Sequence, residues 1–186
     1  EVLGFVDGEA SLKWIADTGC KVVNLLCKGS LNHCEHQLGK TPHEHIQDIK
    51  RSLALARELG LKVNIYLEDW SNGMQHSPDY VFEIVDALQA QEVMRWMLPD
   101  TLGILNPTKT QHYCGAMVKR YPELHFDFHA HNDYDLAVAN VFEAVKVGIK
   151  GVHVTVNGLG ERAGNASLTS VVAMLEDQLG RTTNIC

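Results

Sequence analysis

His125-Phe126-Asp127-Phe128-His129-Ala130-His131-Asn132-Asp133 is a short apolar strand that runs into a cluster of polar groups. The strand proper reads as His125–Phe128. At a period of two residues, His129 and His131 point to the same face. Two neutral imidazoles on one face can share a Zn, Mn, Fe or Co ion. Two turn or core histidines would look the same from spacing alone, but a polar tetrad at a strand end is expensive unless it is used.

Working outward, the pattern is a repeated strand, loop and helix. Leu3–Val6 is a short apolar run before the Asp7-Gly8 turn, and Ala10–Thr18 reads as a helix with Leu12, Ile15 and Ala16 on one face. Lys21–Cys27 is a buried strand and 28–41 a polar loop. Pro42 opens a helix through Leu59, with Ile46, Ile49, Leu53 and Ala56 at helical spacing. Lys62–Leu67 is a third strand. A helix capped by Ser77 follows to about Gln89, then a strand at Met94–Leu98. A helix runs from Pro107 to Tyr121, and another, Tyr134–Val147, follows the fifth strand. Gly151–Val156 is the sixth strand, 157–165 a Gly-rich turn, and Ser167–Leu179 the last helix.

Apolar strands without clean alternation imply a parallel sheet covered on both faces, either an open doubly wound sheet or a barrel. Polar residues recur at the C-terminal strand ends: Asp7, Glu68-Asp69, Asp100-Thr101, His129/His131 and Asn157. A barrel converges such ends on one site. The expected fold is therefore α/β, a (β/α)8 TIM barrel with about six of its eight units present. The missing units are placed most simply on the N-terminal side. Residues 1–186 are expected to form one partial catalytic domain without a regulatory domain.

The chain has 186 residues, 45% apolar and 21% charged, with a net charge of -7. That charge speaks against nucleic acid and anionic membrane as partners, and no apolar run is long enough to span a bilayer. The cysteines, Cys20, Cys27, Cys34, Cys114 and Cys186, are odd in number and are not spaced as a disulfide framework. A reducing, cytoplasmic compartment is expected.

Other motifs divide. Gly158-x-Gly160-x-x-Ala163 superficially matches a dinucleotide fingerprint, but it lies in the last βα unit rather than the first. Its Glu161 and Arg162 suit an ionic lock or an anion contact, and Asn165 either caps the next helix or offers the metal an oxygen. Tyr66 and Glu68 share a strand face, and a carboxylate there could serve as a base. His33-Cys34-Glu35-His36 and His43-Glu44-His45 resemble metal motifs, yet His43 and His45 diverge on a helix. His33 follows a strand end and could meet substrate. Cys27 has no visible activating partner.

The pair His129-Ala-His-Asn-Asp133 and Asn157-Gly-Leu-Gly-Glu-Arg-Ala-Gly-Asn165 resembles the 2-isopropylmalate, homocitrate and citramalate synthase group of the DRE-TIM metallolyases. Leu98-Pro-Asp-Thr-Leu-Gly103 fits the whole group. Leu3-Gly-Phe-Val-Asp-Gly8 and Tyr66-Leu-Glu-Asp-Trp-Ser-Asn-Gly73 are most similar to (R)-citramalate synthases. The resemblance implies a divalent metal (Zn, Mn or Mg) and acetyl-CoA condensing with a 2-oxo acid, pyruvate first, in branched-chain (leucine and isoleucine) amino-acid biosynthesis. It implies His129 and His131 as metal ligands, Asn165 as a conditional one, and Glu68 as catalytic acid/base. Thr101 would bind the oxo-acid carboxylate, and Leu3, Leu26 and Tyr66 would wall its side-chain pocket. The alternatives are 2-oxoisovalerate as substrate, the hydroxymethylglutaryl-CoA lyase branch, and a catalytically incomplete fragment. The group's Arg-Asp-Gly strand is absent from these residues. Little synthase activity is therefore expected from this chain alone, and its open sheet edges imply a homo-oligomer.

Overall fold

A computed structural model describes residues 1–185. Six strands run in the sheet order β1-β2-β3-β4-β5-β6, interleaved with helices. The chain divides into two compact units, Glu1–Leu98 and Pro99–Cys186, and Cys186 itself lies outside the described residues.

The first unit holds β1 (Val2–Phe5), α1 (Ala10–Asp17), β2 (Val22–Lys28), α2 (Pro42–Glu58), β3 (Lys62–Glu68), α3 (Trp70–His76), α4 (Pro78–Leu88) and most of β4 (Val93–Asp100). β1, β2, β3 and β4 pair in parallel. Burial along β2 alternates strictly: Val23, Leu25 and Cys27 are buried, whereas Asn24, Leu26 and Lys28 are half-buried. The face of Asn24, Leu26 and Lys28 is thus the less covered one, and it carries polar groups as well as apolar ones. β4 differs, since Trp96–Asp100 are all buried.

The helices follow from the chain's own signals. Ile46, Ile49, Leu53 and Ala56 form the buried stripe of α2. Its first turn carries a capping box: Thr41 Oγ1 accepts the Glu44 N–H and the Glu44 carboxylate accepts the Thr41 N–H. The polar loop 28–41 is not wholly irregular, because His33–Gln37 forms a π-type turn. The sequence pattern marks no helix between the third strand and Ser77, yet α3 forms there. Gly73 explains how it fits: a Cβ there would lie 1.9 Å from the Gly29 carbonyl oxygen. Ser77 is no side-chain cap; its Oγ accepts the Leu31 N–H instead.

One buried polar pair ties α2 and α4 to β2. His45 and Tyr80 are 1% and 4% exposed. Their side chains meet at 2.7 Å (Nδ1 to hydroxyl). His45 Nε2 accepts the Lys28 N–H, and the Tyr80 hydroxyl donates to the Lys28 carbonyl. The main-chain groups at the end of β2 are thereby satisfied by side chains.

The second unit contains the end of β4, α5 (Pro107–Arg120), β5 (Phe126–Ala130), α6 (Ala137–Lys146), β6 (Gly151–His153) and α7 (Leu168–Leu179). Asn106 caps α5 through the Lys109 N–H. α6 begins three residues later than its pattern suggests. Asn132 Oδ1 accepts the Ala137 N–H, and Asp135 adopts φ +57°, so residues 132–136 form a turn. β6 stops at His153 because the chain turns away to bridge Thr155 with Ser167. Cys20, Cys27, Cys34 and Cys114 are free thiols.

Burial holds the His45 imidazole down at about 4, so the fold favours its neutral form over the ordinary 6.5. That contribution is present above pH 6.5 and is lost as pH falls towards about 4. His45→Gln should be less stable than wild type to urea at pH 7.5. The gap should narrow by about 2 kcal/mol by pH 4.5; urea midpoints at the two pH values check it.

Candidate metal centre and catalytic strand ends

Phe126 and Phe128 bury one face of β5, and period two sends Asp127, His129 and His131 to the other. The His129 and His131 rings meet at 5.0 Å between centroids, with their Nε2 atoms 3.3 Å apart. Two nitrogens bound to one ion at about 2.1 Å stand this far apart when the angle between the bonds is about 100°. Asn165 arrives beside His131 through an antiparallel bridge. The Asn132 N–H donates to the Gly164 carbonyl and the Ala166 N–H to the Ala130 carbonyl, which staples the strand end to the 157–165 loop. Gly160 permits the approach, since a Cβ there would lie 2.1 Å from Asn165 Nδ2.

The donor chemistry fits a divalent metal. Asn165 Oδ1 is buried without a hydrogen-bond partner, as is His131 Nδ1. Burial, then the His153 and His131 imidazoles, hold His129 down at about 3. Burial, then the Arg162 guanidinium, lower His131. Both rings are therefore neutral near pH 7 and have a lone pair to give. Two imidazoles and an amide oxygen are a short ligand set, and no group of three His, Cys, Asp or Glu among the described residues could hold a metal.

The ionic lock foreseen for Arg162 has a specific partner. Its Nε and Nη2 donate to the two carboxylate oxygens of Asp133 at 2.7 and 2.8 Å, and Nη2 also donates to the Thr101 carbonyl at 2.8 Å. Each ion shifts the other: Asp133 is lowered by Arg162, and Arg162 is raised by Asp133. Arg162 adopts φ +54°, an unfavourable conformation for a side-chain-bearing residue. Asn132 and Asp133 thus serve the turn and the lock. Thr101 follows Asp100, whose buried carboxylate accepts the Ile104 and Leu105 N–H groups.

The other expected residues lie in the first unit. Leu26 and Tyr66 are register partners on β2 and β3, and Phe5, not Leu3, is Leu26's partner on β1. Leu3 pairs with Asn24. Glu68 is paired in register with Lys28, and the two side chains form an ion pair. His33 Nε2 lies 3.4 Å from Asp69, which also accepts hydrogen bonds from Ser30 and Asn72, beside a cleft of about 480 Å³. His43 is exposed and His45 buried, so they do diverge. Burial raises the Cys27 thiol far above its usual range, which makes it inert.

Two residues escaped the sequence reading. His153 is the register partner of His129, its ring 5.4 Å away and its Nε2 3.4 Å from the Asp127 carboxylate. Lys28 is the lone charge of β2, and that is its signal. Neither neighbour could be known without the register.

Comparison with known proteins now decides the lineage. The HMGL-like family profile matches residues 7–185. The chain belongs to the HMGL-like family. A homocitrate synthase of Saccharolobus solfataricus is 36% identical over 148 residues, covering 80% of this chain and 32% of that protein. A 2-isopropylmalate synthase of Sulfurisphaera tokodaii is 34% identical over 169 residues, covering 91% and 43%. The chain thus spans between about a third and two-fifths of the length of these curated relatives. A Bacillus subtilis HMG-CoA lyase structure superposes with a TM-score of 0.83 at 23% identity, over 98% of this chain and 64% of that one. At that identity the likeness speaks for the fold, an incomplete (β/α)8 barrel.

Asp133→Asn or Arg162→Met should free the 157–165 loop of this HMGL-like chain. The pair is partly exposed, so its loss is worth about 1 kcal/mol, or roughly a fivefold rise in amide exchange there. Hydrogen-exchange mass spectrometry checks it; unchanged protection would show that the backbone staples suffice.

Proposed function

We propose that this chain carries residues of a metal-dependent Claisen-type condensation of acetyl-CoA with a 2-oxo acid, pyruvate giving (R)-citramalate. The observation that carries it is the His129/His131 pair, Nε2 to Nε2 at 3.3 Å, with the unpartnered Asn165 oxygen stapled beside it. Relatives named homocitrate synthase and 2-isopropylmalate synthase support the same reaction class.

In this reading His129, His131 and Asn165 hold the divalent metal, Zn, Mn or Mg. The bound metal supplies Lewis-acid polarisation of the 2-oxo acid. The protein's residues do the rest. The Thr101 hydroxyl binds the substrate carboxylate. Glu68 takes a proton from the acetyl methyl of acetyl-CoA, and the carbanion left attacks the ketone carbon. The thioester is then hydrolysed and CoA leaves. Leu26, Tyr66 and Leu3 wall the pocket, with Phe5 added by its register with Leu26. Aromatic and leucine walls leave a small apolar space suited to a methyl group. One extra methylene changes selectivity by about 1–3 kcal/mol, so 2-oxoisovalerate is the competing substrate.

A second reading is a catalytically incomplete piece, favoured by the short ligand set. It goes with self-association of the chain into homo-oligomers, for which the half-exposed Leu3 and Phe5 provide apolar surface.

The test is turnover of acetyl-CoA with pyruvate or 2-oxoisovalerate in the presence of Mn²⁺ or Mg²⁺, for this chain and for any longer chain that contains it. The active form should prefer pyruvate by about tenfold or more, and Glu68→Gln should lose at least about 100-fold in kcat. An active form indifferent to Glu68→Gln, or no form active towards either acid, refutes the condensation reading. A normal rate from the chain alone refutes the incomplete reading.

A further inference from the structure

Glu68 does not stand alone at its strand end. Lys28 is its register partner on β2, and the ammonium meets the carboxylate. The two side chains are only 15% and 25% exposed. They sit on the face that carries Leu26 and Tyr66 and, one step further back, the hydrogen-bonded Asn24–Asn64 pair, so the ion pair is largely withdrawn from solvent. Such a pair contributes little to stability, because desolvation offsets most of its attraction. Yet the fold goes to some length to place Lys28. Its N–H and carbonyl are taken by His45 and Tyr80, both buried. The next residue, Gly29, donates its N–H to the Glu68 carbonyl, and a Cβ at Gly29 would lie 2.6 Å from the Leu67 carbonyl oxygen. The two strand ends are locked together at the one level where the charges face each other.

The arrangement makes sense when the ammonium has a second task. We propose that Lys28 is a catalytic group that stabilises the enolate formed from the acetyl thioester at Glu68. The inference rests on Glu68 being the base. With the thioester seated, the Lys28 ammonium donates a hydrogen bond to the thioester carbonyl oxygen. Glu68 then takes the methyl proton: the C–H bond breaks, an O–H bond forms on the carboxylate, and the electron pair moves into the enolate, whose charge rests on oxygen. Lys28 keeps its own proton throughout. Negative charge passes from the carboxylate to the enolate oxygen, and the ammonium faces it at both ends of the step.

The experiment follows deuterium entering the acetyl-CoA methyl group from D2O by proton NMR, with pyruvate and Mn²⁺ present, in the active form of the protein. Lys28→Met should slow exchange by about 100-fold or more at saturating acetyl-CoA, the effect of removing one oxyanion donor. Lys28→Arg, which keeps a cation, should recover to within about tenfold of wild type. Should Lys28→Met fail to fold, by circular dichroism and melting, Lys28→Gln is held to the same criterion. Exchange in Lys28→Met within about threefold of wild type overturns the catalytic assignment. So does a loss that disappears at saturating acetyl-CoA, which marks Lys28 as a binding group only. Absent exchange in wild type, or unchanged exchange in Glu68→Gln, overturns the reading of Glu68 and this inference with it.

Discussion

Alternate side chains of a β-strand leave on opposite faces, and much of this structure follows from that constraint. On β2 it sends Val23, Leu25 and Cys27 beneath the helices and leaves Leu26 and Lys28 on the other face. On β5 it buries Phe126 and Phe128 and turns Asp127, His129 and His131 together. On β2 and β5 the apolar side chains supply the packing, and the polar ones, the buried Asp127 among them, are left to carry chemistry. The apolar face here is large enough, with residues such as Ile49, Ile65, Ile84 and Leu88 fully buried, to tolerate charged and imidazole groups opposite.

The C-terminal strand ends then need their main-chain groups satisfied, because the sheet ladder stops there. The first unit does so with side chains: His45 and Tyr80 serve Lys28, and Ser77 serves Leu31. The second does so with a loop folded back on the strand, through Gly164 to Asn132 and Ala130 to Ala166, closed by the Arg162–Asp133 pair. In both, the polar framework holds a candidate functional side chain, Lys28 beside Glu68 or Asn165 beside His131. The left-handed conformations of Asp135, Asn157 and Arg162 cluster in this second framework, as strain does where geometry is dictated by a site.

The limits of the sequence reading have physical causes. α3 went unseen because Trp70-Ser-Asn-Gly-Met-Gln-His76 is too short for a 3.6-residue period, and its fit depends on the contact of Gly73 with Gly29. Ser77 has a cap residue's chemistry but was diverted to a distant N–H. The late start of α6 reflects Asn132 competing for the Ala137 N–H.

By itself the sequence determined the α/β alternation, the buried stripe of α2, the shared face of His129 and His131, and membership of the HMGL-like family. All are local patterns, set by periodicities of 2 and 3.6 or by contiguous motifs. Only the tertiary structure decided that His153 lies beside His129, that Phe5 rather than Leu3 stands level with Leu26, that Arg162 closes on Asp133, and that Lys28 faces Glu68. These depend on strand register and loop closure, which join residues 24 to 40 positions apart in most cases. No pattern of neighbouring residues encodes them.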